Sequence, residues 1–308
     1  MELVNGVQTR SAVTPRIVCC GEAMVELAFK DGNWALGYAG DTLNTAIHLA
    51  RAGHSVSYLS ALGPDPFSAG LRGAMQAEGV DDSLVITHPT RSVGLYAITT
   101  DPRGERSFTY WRDASAARAM FELDAIDAAM REAEWAGLFS FSLISLAILP
   151  PEGRQHLLDL AGLVRANGGR VAFDGNYRPR LWESPATAIV IRDAAIALAD
   201  IGLPTLEDET ALSGETGAAA VAAHWQSLGC AEVIVKLGIH GCRLPDGTIR
   251  PPAQILQPVD TSGAGDAFNA GYLGGRLAGH SIEVSACAGH NLAGWTIMRP
   301  GAIPPRDS

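Results

Sequence analysis

At 308 residues, with 47% hydrophobic and 18% charged side chains, the chain has enough apolar material for one large α/β domain or two smaller ones. Its 33 acidic and 23 basic residues give a formal charge of −10, which argues against nucleic acid as the main partner, because phosphate backbones call for a basic footprint. An anionic substrate would have to be met by a local basic pocket rather than by overall charge.

The five cysteines, Cys19, Cys20, Cys230, Cys242 and Cys287, are odd in number and show no C-x-x-C spacing. They read as reduced core thiols of a cytosolic protein. Residues 1–15 have no apolar stretch of the signal-peptide kind. The longest apolar run, 136–151, is broken by serines and ended by two prolines, so no membrane partner is expected and the location expected is cytoplasmic.

In chain order, residues 1–15 are polar and end at Pro15, which predicts a flexible tail. Residues 16–20 form a short apolar run ending at Gly21, a buried first strand. Residues 24–29 and 34–38 bracket the turn Lys30-Asp31-Gly32-Asn33 and predict a hairpin. Over 39–53, Leu43, Ile47 and Ala50 recur at helical spacing, with Asp41 or Thr42 as cap and Gly53 as stop. A buried strand over 56–62 and a helix over 67–78 follow. Segments 93–100 and 106–112, joined by Asp101-Pro102-Arg103-Gly104, break the strand–helix rhythm. With the early hairpin they predict a small β lid, discontinuous in sequence over 24–39 and 93–112.

The remainder alternates: strand 138–144, helix 152–167, strand 170–174, helix 185–198, strand 201–203, helix 218–228, strand 232–237, a hairpin over 241–250, and two final helices, the last over 282–298. Such alternation predicts an α/β fold, a mostly parallel, doubly wound sheet with helices on both faces and the site at the strands' carboxyl ends. With no internal repeat or linker, 16–308 is expected as one domain carrying the lid.

The most chemical stretch is Asp260-Thr261-Ser262-Gly263-Ala264-Gly265-Asp266-Ala267-Phe268-Asn269-Ala270-Gly271. The run Gly263, Ala264, Gly265 lets backbone N–H groups close on an anion, and the helix-compatible residues that follow put those groups at a helix start. Asp266 adds a carboxylate at the same place. An anion cradle beside a potential general base is what phosphoryl transfer to a hydroxyl needs. The bland alternative is a capped helix after a glycine turn. Other phosphate and hydrolase motifs are missing: there is no Gly-Lys dipeptide for a P-loop, no G-x-G-x-x-G after the first strand, no H-E-x-x-H and no G-x-S-x-G.

Two further groups carry polar chemistry. Asp41 and Asn44 offer an acceptor and a donor on one face of a helix start, suited to several hydroxyls. Strand alternation points Tyr110 and Arg112 one way and Trp111 the other, and a phenol beside a guanidinium can grip a carboxylate. A second arginine group, Asp174-Gly175-Asn176-Tyr177-Arg178-Pro179-Arg180-Leu181-Trp182, follows a strand's carboxyl end. Read blandly, Asp41 is a cap, Arg112 a surface arginine on an edge strand and Lys236, one of only two lysines, a solvated strand end.

The string from Asp260 to Asp266 resembles the D-T-x-G-A-G-D signature of the ribokinase-like (PfkB) carbohydrate kinases. The strings Gly-Asp-Thr-Leu-Asn (40–44), Tyr-Trp-Arg (110–112), Ser-Leu-Ala-Ile-Leu (145–149) and Asn-Tyr-Arg-Pro-Arg-Leu-Trp (176–182) resemble the branch of that family acting on 2-keto-3-deoxygluconate, over about residues 16–306. The resemblance implies a ribokinase-like fold and phosphorylation of a sugar acid's terminal hydroxyl, with ATP and Mg²⁺ and, as an open addition, a monovalent cation such as K⁺. It implies Asp266 as base, Gly263, Ala264 and Gly265 as anion hole, and Gly40, Asp41, Asn44, Tyr96, Tyr110, Arg112, Asn176 and Arg178 around the sugar acid. Ala39 departs from the glycine pair of the family's first signature.

On the nucleotide side the resemblance implies Lys236, Gly238, Gly263, Gly265 and Asn291, with the loop 299–302 near the adenine. Its N-x-x-E metal motif falls on Thr205 and Asp208, so Asp208 or Glu209 would support Mg²⁺, through water. The helix dipole is expected to keep Asp266 ionised, a weak base that works because the hydroxyl becomes acidic as the P–O bond forms. A kinase of a neutral sugar such as fructose, tagatose or ribose stays open as an alternative, and Arg112 discriminates it. A sugar-binding protein that had lost catalysis predicts a damaged signature, whereas Asp266 and its glycines are intact. The lid suggests a homodimer or higher homo-oligomer.

Overall fold

The computed structural model describes residues 16–30, 32–100 and 106–306. The expected tail over 1–15, Asp31 of the first turn and the expected turn over 101–104 lie outside the described residues. The chain opens with β1 (Ile17–Cys20), β2 (Met24–Lys30), β3 (Asn33–Ala39), α1 (Asp41–Arg51), β4 (Val56–Leu62), α2 (Pro66–Ala77), β5 (Val80–Asp81) and β6 (Val85–Thr87). It continues with β7 (Gly94–Thr100), β8 (Arg106–Trp111), α3 (Ile126–Ala133), β9 (Leu138–Ser142), α4 (Leu143–Ala147), α5 (Pro151–Ala166) and β10 (Arg170–Asp174). Then come α6 (Pro185–Leu198), β11 (Ile201–Gly202), α7 (Leu206–Ser213), α8 (Ala218–Ser227), β12 (Glu232–Val233) and β13 (Val235–Lys236). β14 (Cys242–Arg243), β15 (Ile249–Arg250), α9 (Ala264–Leu277) and α10 (Ile282–Ile297) complete it.

The central sheet has eight strands in the order β12-β11-β10-β9-β1-β4-β5, with β6 also on β4, and its pairings are parallel. Strand alternation divides its side chains between two cores. Val18, Cys20, Phe139, Phe141, Val171 and Phe173 point to one face, where residues of α3, α5, α6 and α8 cover them. Ile17, Cys19, Tyr58, Leu138, Ala172 and Ile201 point to the other, beneath α1, α2, α9 and α10. Burial on both faces explains why these strands read as unbroken apolar runs.

A second sheet of four strands, order β3-β2-β7-β8, stands apart from the first. Its outer pairings are antiparallel and the central β2–β7 pairing parallel. The segments 24–39 and 93–112 therefore do come together as one small sheet.

Several boundaries differ from the sequence expectation, each for a local reason. The strand expected over 138–144 ends at Ser142, because Ser142 and Ser145 form a reciprocal capping box that starts α4. The strand expected over 232–237 is split: β12 joins the central sheet and β13 pairs antiparallel with β14. Neither Asp41 nor Thr42 caps α1; the cap position is Gly40, and Asp41 Oδ1 instead accepts the Thr42 backbone N–H at 2.8 Å. The strands β5 and β6 and the helices α3 and α7 are additions to the expected set.

Gly40 has φ of +152°, and a Cβ there would run into the Glu22 carbonyl oxygen. Gly40→Ala is therefore expected to destabilise the fold by about 1–3 kcal/mol. A lowered thermal midpoint would report it, whereas an unchanged midpoint would mean that the Glu22 turn yields freely.

Candidate active site

The carboxyl ends of β1, β9, β10, β11 and β13 converge with the first turns of α1 and α9, and the predicted residues gather there. Asp266 stands in the first turn of α9, whose cap Gly263 is left-handed at φ +69°. A side chain at 263 would also collide with Ala302, whose Cβ would lie 2.7 Å away, so glycine is required twice over. At such a helix start the N–H groups have no intrahelical acceptor. The Ala264 N–H is partly committed, donating to the Thr261 carbonyl at 3.3 Å, which leaves Gly265 and Gly263 as the barer donors of the cradle. Asp260 braces the loop: its Oδ1 accepts the Ser262 N–H at 2.8 Å and its Oδ2 the Gly301 N–H at 3.0 Å. The 299–302 loop is thus tied to the cradle.

Asp266 is buried and surrounded by charge. Asn44 Nδ2 donates to its Oδ2 at 2.8 Å, and Thr45 Oγ1 donates to its backbone carbonyl at 3.3 Å. Burial, then the carboxylates of Asp41 and Asp174, push the Asp266 carboxyl up to about 8, against the Asn44 bond and the Lys236 charge. The expectation that the helix dipole holds Asp266 ionised is therefore overturned. A dipole is worth about 0.3–1 kcal/mol, while burial among like charges moves a carboxyl by units. Asp41 is raised too, by burial first; Ser142, Thr42 and Arg112 oppose that shift. Asn176 Nδ2 donates to Asp41 Oδ2 at 3.2 Å. Asp41, Asn44 and Asn176 therefore link α1, β10 and α9 at one spot.

Lys236 is buried rather than solvated. Its Nζ donates to Asp174 Oδ1 at 3.0 Å and Asn269 Oδ1 at 3.1 Å, and Asn269 Nδ2 closes the triad on Asp174 Oδ2 at 2.7 Å. An added Cβ on Gly265 would sit 3.7 Å from the same Nζ, so the ammonium lies under the cradle. Gly238 follows in a left-handed turn at φ +58°. Asn291 is exposed on α10, beside His290, which contacts Cys242 on β14.

Arg112 is buried at the end of β8 and bonds Glu22, just past β1, through Nη2; its Nε and Glu22 Oε1 are buried without partners. The Tyr110 ring centroid lies 5.9 Å from its guanidinium carbon. Tyr96 and Tyr110 are paired across β7 and β8 with centroids 5.7 Å apart, and the Tyr96 hydroxyl donates to Glu26. Burial raises the Tyr96 phenol first, then the Glu26 carboxylate and the hydrogen bond to it, with smaller pushes from Tyr110 and Asp266. Arg178 is 52% exposed at its side chain and pairs with Asp208 Oδ1 at 3.2 Å. Arg178 thus leans on Asp208, while Arg112 is held by Glu22.

Of the two metal candidates only Asp208 faces the site. Burial raises its carboxyl to about 6, Arg178 and Lys236 oppose this and Asp174 adds to it. Glu209, one residue on in α7, is turned into the core, where Arg192 donates at 2.7 Å and the Trp225 indole at 3.0 Å. Glu209 is therefore corrected from metal support to structural anchor, because neighbours on a helix point about 100° apart. Among the described residues no group of three or more His, Cys, Asp or Glu side chains could hold a metal by itself. A single carboxylate fits Mg²⁺ that leans on water and phosphates.

Sequence reasoning passed over Glu22, Asp174 and Asn269. Asp174 had a signal, a carboxylate closing an apolar strand. Asn269 lies three residues after Asp266 and so on the same helix face. Glu22 had none beyond following a glycine at a strand end.

A parallel sheet with an anion cradle and a buried carboxylate at its carboxyl edge defines a phosphotransferase of the sugar-kinase class, and the chain belongs to that class: residues 14–308 match the family described as pfkB family carbohydrate kinase. The 2-dehydro-3-deoxygluconokinase of Escherichia coli (strain K12) is 41% identical, with 96% of this chain and 99% of that protein covered. That of Dickeya dadantii (strain 3937) is 39% identical, over 96% and 98%. Among solved structures, the PfkB protein from Polaromonas sp. JS666 superposes with a TM-score of 0.79 at 29% identity, over 91% of this chain and 94% of that one. Among the described residues no helix is long and apolar enough to cross a membrane.

Removing Glu209 takes away one of the two carboxylates that hold the buried Arg192, Asp193 being the other, and the acceptor of the Trp225 indole, so Glu209→Ala is expected to cost about 1–3 kcal/mol of stability. The apparent KM for MgATP should stay unchanged in that variant and rise in Asp208→Ala. Calorimetry together with MgATP titration at fixed acceptor checks both, and a Glu209→Ala protein with altered Mg²⁺ demand would reverse the assignment.

Proposed function

We propose that the protein transfers the γ-phosphoryl group of ATP to the terminal hydroxyl of 2-keto-3-deoxygluconate. The observation that carries this reading is the buried Arg112 guanidinium under Tyr110, held by Glu22 through Nη2 while its Nε is buried without a partner. A substrate carboxylate supplies the acceptor that Nε lacks, in the geometry a guanidinium fork favours. The 41% identity to a 2-dehydro-3-deoxygluconokinase over nearly the whole chain supports the same substrate.

In this reading the small sheet is the lid, and Arg112 receives the acid group between Tyr96 and Tyr110. Arg178, from the same stretch as Asn176, supplies a second guanidinium. Gly40, Asp41 and Asn176 border the sugar hydroxyls, and the terminal hydroxyl lies against Asp266, whose ionised carboxylate takes the proton as the new P–O bond forms. The amides of Gly263, Ala264 and Gly265 hold the charge on the transferred group, with the Lys236 ammonium beneath them. Asp208 would support Mg²⁺, which supplies charge neutralisation on the phosphates. Asn291 and the 299–302 loop border the nucleotide base.

Asp266→Asn is expected to lower kcat by roughly 10²- to 10⁴-fold. Arg112→Ala should cost about 2–4 kcal/mol in kcat/KM toward the sugar acid. ADP release measured across sugar acids and ketoses decides between readings: an Arg112→Ala enzyme with an unaltered sugar-acid KM would favour the neutral-sugar kinase, and near-normal turnover by Asp266→Asn would remove the base.

The lid's other face carries Phe29, Trp34, Leu36 and Trp111, all exposed, with the Phe29 and Trp34 ring centroids 5.1 Å apart. Strand register puts these four on the side away from Tyr96 and Tyr110. We assign this face to a second copy of the chain, since an apolar patch at a lid edge is covered at least cost by itself in a two-fold pair. Sedimentation of the wild type should report a dimer, and Trp34→Asp with Leu36→Asp a monomer; a monomeric wild type would refute the pairing.

A further inference from the structure

Resting on the kinase reading above, we infer that Asn44 is a positioning residue for the base. Three observations carry this. Asn44 is 5% exposed and spends its Nδ2 on Asp266 Oδ2, at 2.8 Å. The rest of the carboxamide, a second N–H and an Oδ1 buried without a partner, makes no bond among the described residues, so the contact with Asp266 is the one the fold gives this side chain. The next residue, Thr45, shares its hydroxyl between the Asp41 carbonyl of its own helix at 3.1 Å and the Asp266 backbone carbonyl at 3.3 Å, so the same turn of α1 touches Asp266 twice.

The physical consequence concerns a soft torsion. The terminal torsion of an aspartate is broad and roughly two-fold, so a free carboxylate samples many orientations. Anchoring Oδ2 fixes the plane and leaves Oδ1 as the one atom that can accept the substrate's proton. A base misplaced by about 1 Å is enough to lose on the order of 10²-fold in rate. The same bond favours the charged carboxylate, and so opposes the like charges around it. Those groups come from every side: Asp41 on α1, Asp174 on β10, Lys236 on β13 and Tyr96 on β7.

The role predicts a kinetic pattern distinct from that of a sugar contact. In Asn44→Ala, kcat should fall by about 10- to 100-fold while the KM for 2-keto-3-deoxygluconate stays within about three-fold. The acid limb of kcat/KM should move up by about one pH unit, since the carboxylate loses its donor. Asn44→Asp puts another carboxylate against the base and should move the limb further in the same direction. Circular dichroism and the thermal midpoint establish that both variants fold. If Asn44→Ala raises the sugar KM ten-fold or more with the acid limb unmoved, Asn44 is a sugar contact and the inference falls. It falls equally if kcat and the limb are both unchanged. An inactive wild type on every sugar acid would instead sink the substrate reading.

Discussion

Three carboxylates, Asp174 and Asp266 buried and Asp41 half-buried, lie within electrostatic reach of one another at the carboxyl edge of the sheet. Burial of like charges is among the costlier arrangements a fold can hold, and the surrounding residues read as its compensation. Lys236 answers Asp174, Arg112 draws on Asp41, and Asn44, Asn176 and Asn269 each donate to one of the three. The compensation is incomplete: Asp41 and Asp266 both stay above the ordinary carboxylate range. A site that binds two anionic substrates can tolerate such acidity only if its cations are placed by the fold, and in this chain they are. One of only two lysines in the sequence is the one under the cradle.

The sheet makes that placement rigid. Its strands are packed on both faces, so their carboxyl ends cannot drift without disturbing two cores at once. Asp174 closes β10 and Lys236 closes β13, while α1 and α9 meet across the same edge. The small sheet adds what the central one lacks. Its strands deliver Arg112, Tyr96 and Tyr110 from a segment remote from the signature, and Glu22, just past β1, ties Arg112 back to the central sheet. The small sheet is thereby tied to the central one through side chains.

Local chemistry was legible in the sequence, and pairing was not. The helix 185–198 was read to its last residue, and the glycine signature and the two segments of the small sheet were recognised from neighbouring residues alone. Each error came from a contact made elsewhere. Ser142 ends a strand because Ser145 caps back onto it, a bond a strand-like run of residues conceals. The run 232–237 serves two sheets because β14 folds back on Lys236. The bland reading of Lys236 as a solvated strand end fails because Asp174 and Asn269, 62 and 33 residues away, supply its partners. Asp208 and Glu209 were interchangeable as letters, yet the rotation of about 100° between helix neighbours sends the first to Arg178 and the second to Arg192 and Trp225. Composition can indicate that a buried cation exists; only the three-dimensional neighbours say which one.

On the proposed kinase reading, the elevated Asp266 carboxyl serves the reaction. A base of ordinary carboxylate strength is always ionised at neutral pH but draws weakly on the hydroxyl proton; one raised toward about 8 draws harder and is ionised for less of the time. The residues around it pull in both directions, Asp41 and Asp174 upward, Asn44 and Lys236 downward. Phosphates arriving over Gly263 and Gly265 would add negative charge at the same mouth and push the base further up. The Lys236 ammonium, lying under those glycines and already opposing the shift, is placed to limit that rise. Cradle and base thus share one cation, and a change made to serve either of them alters the other.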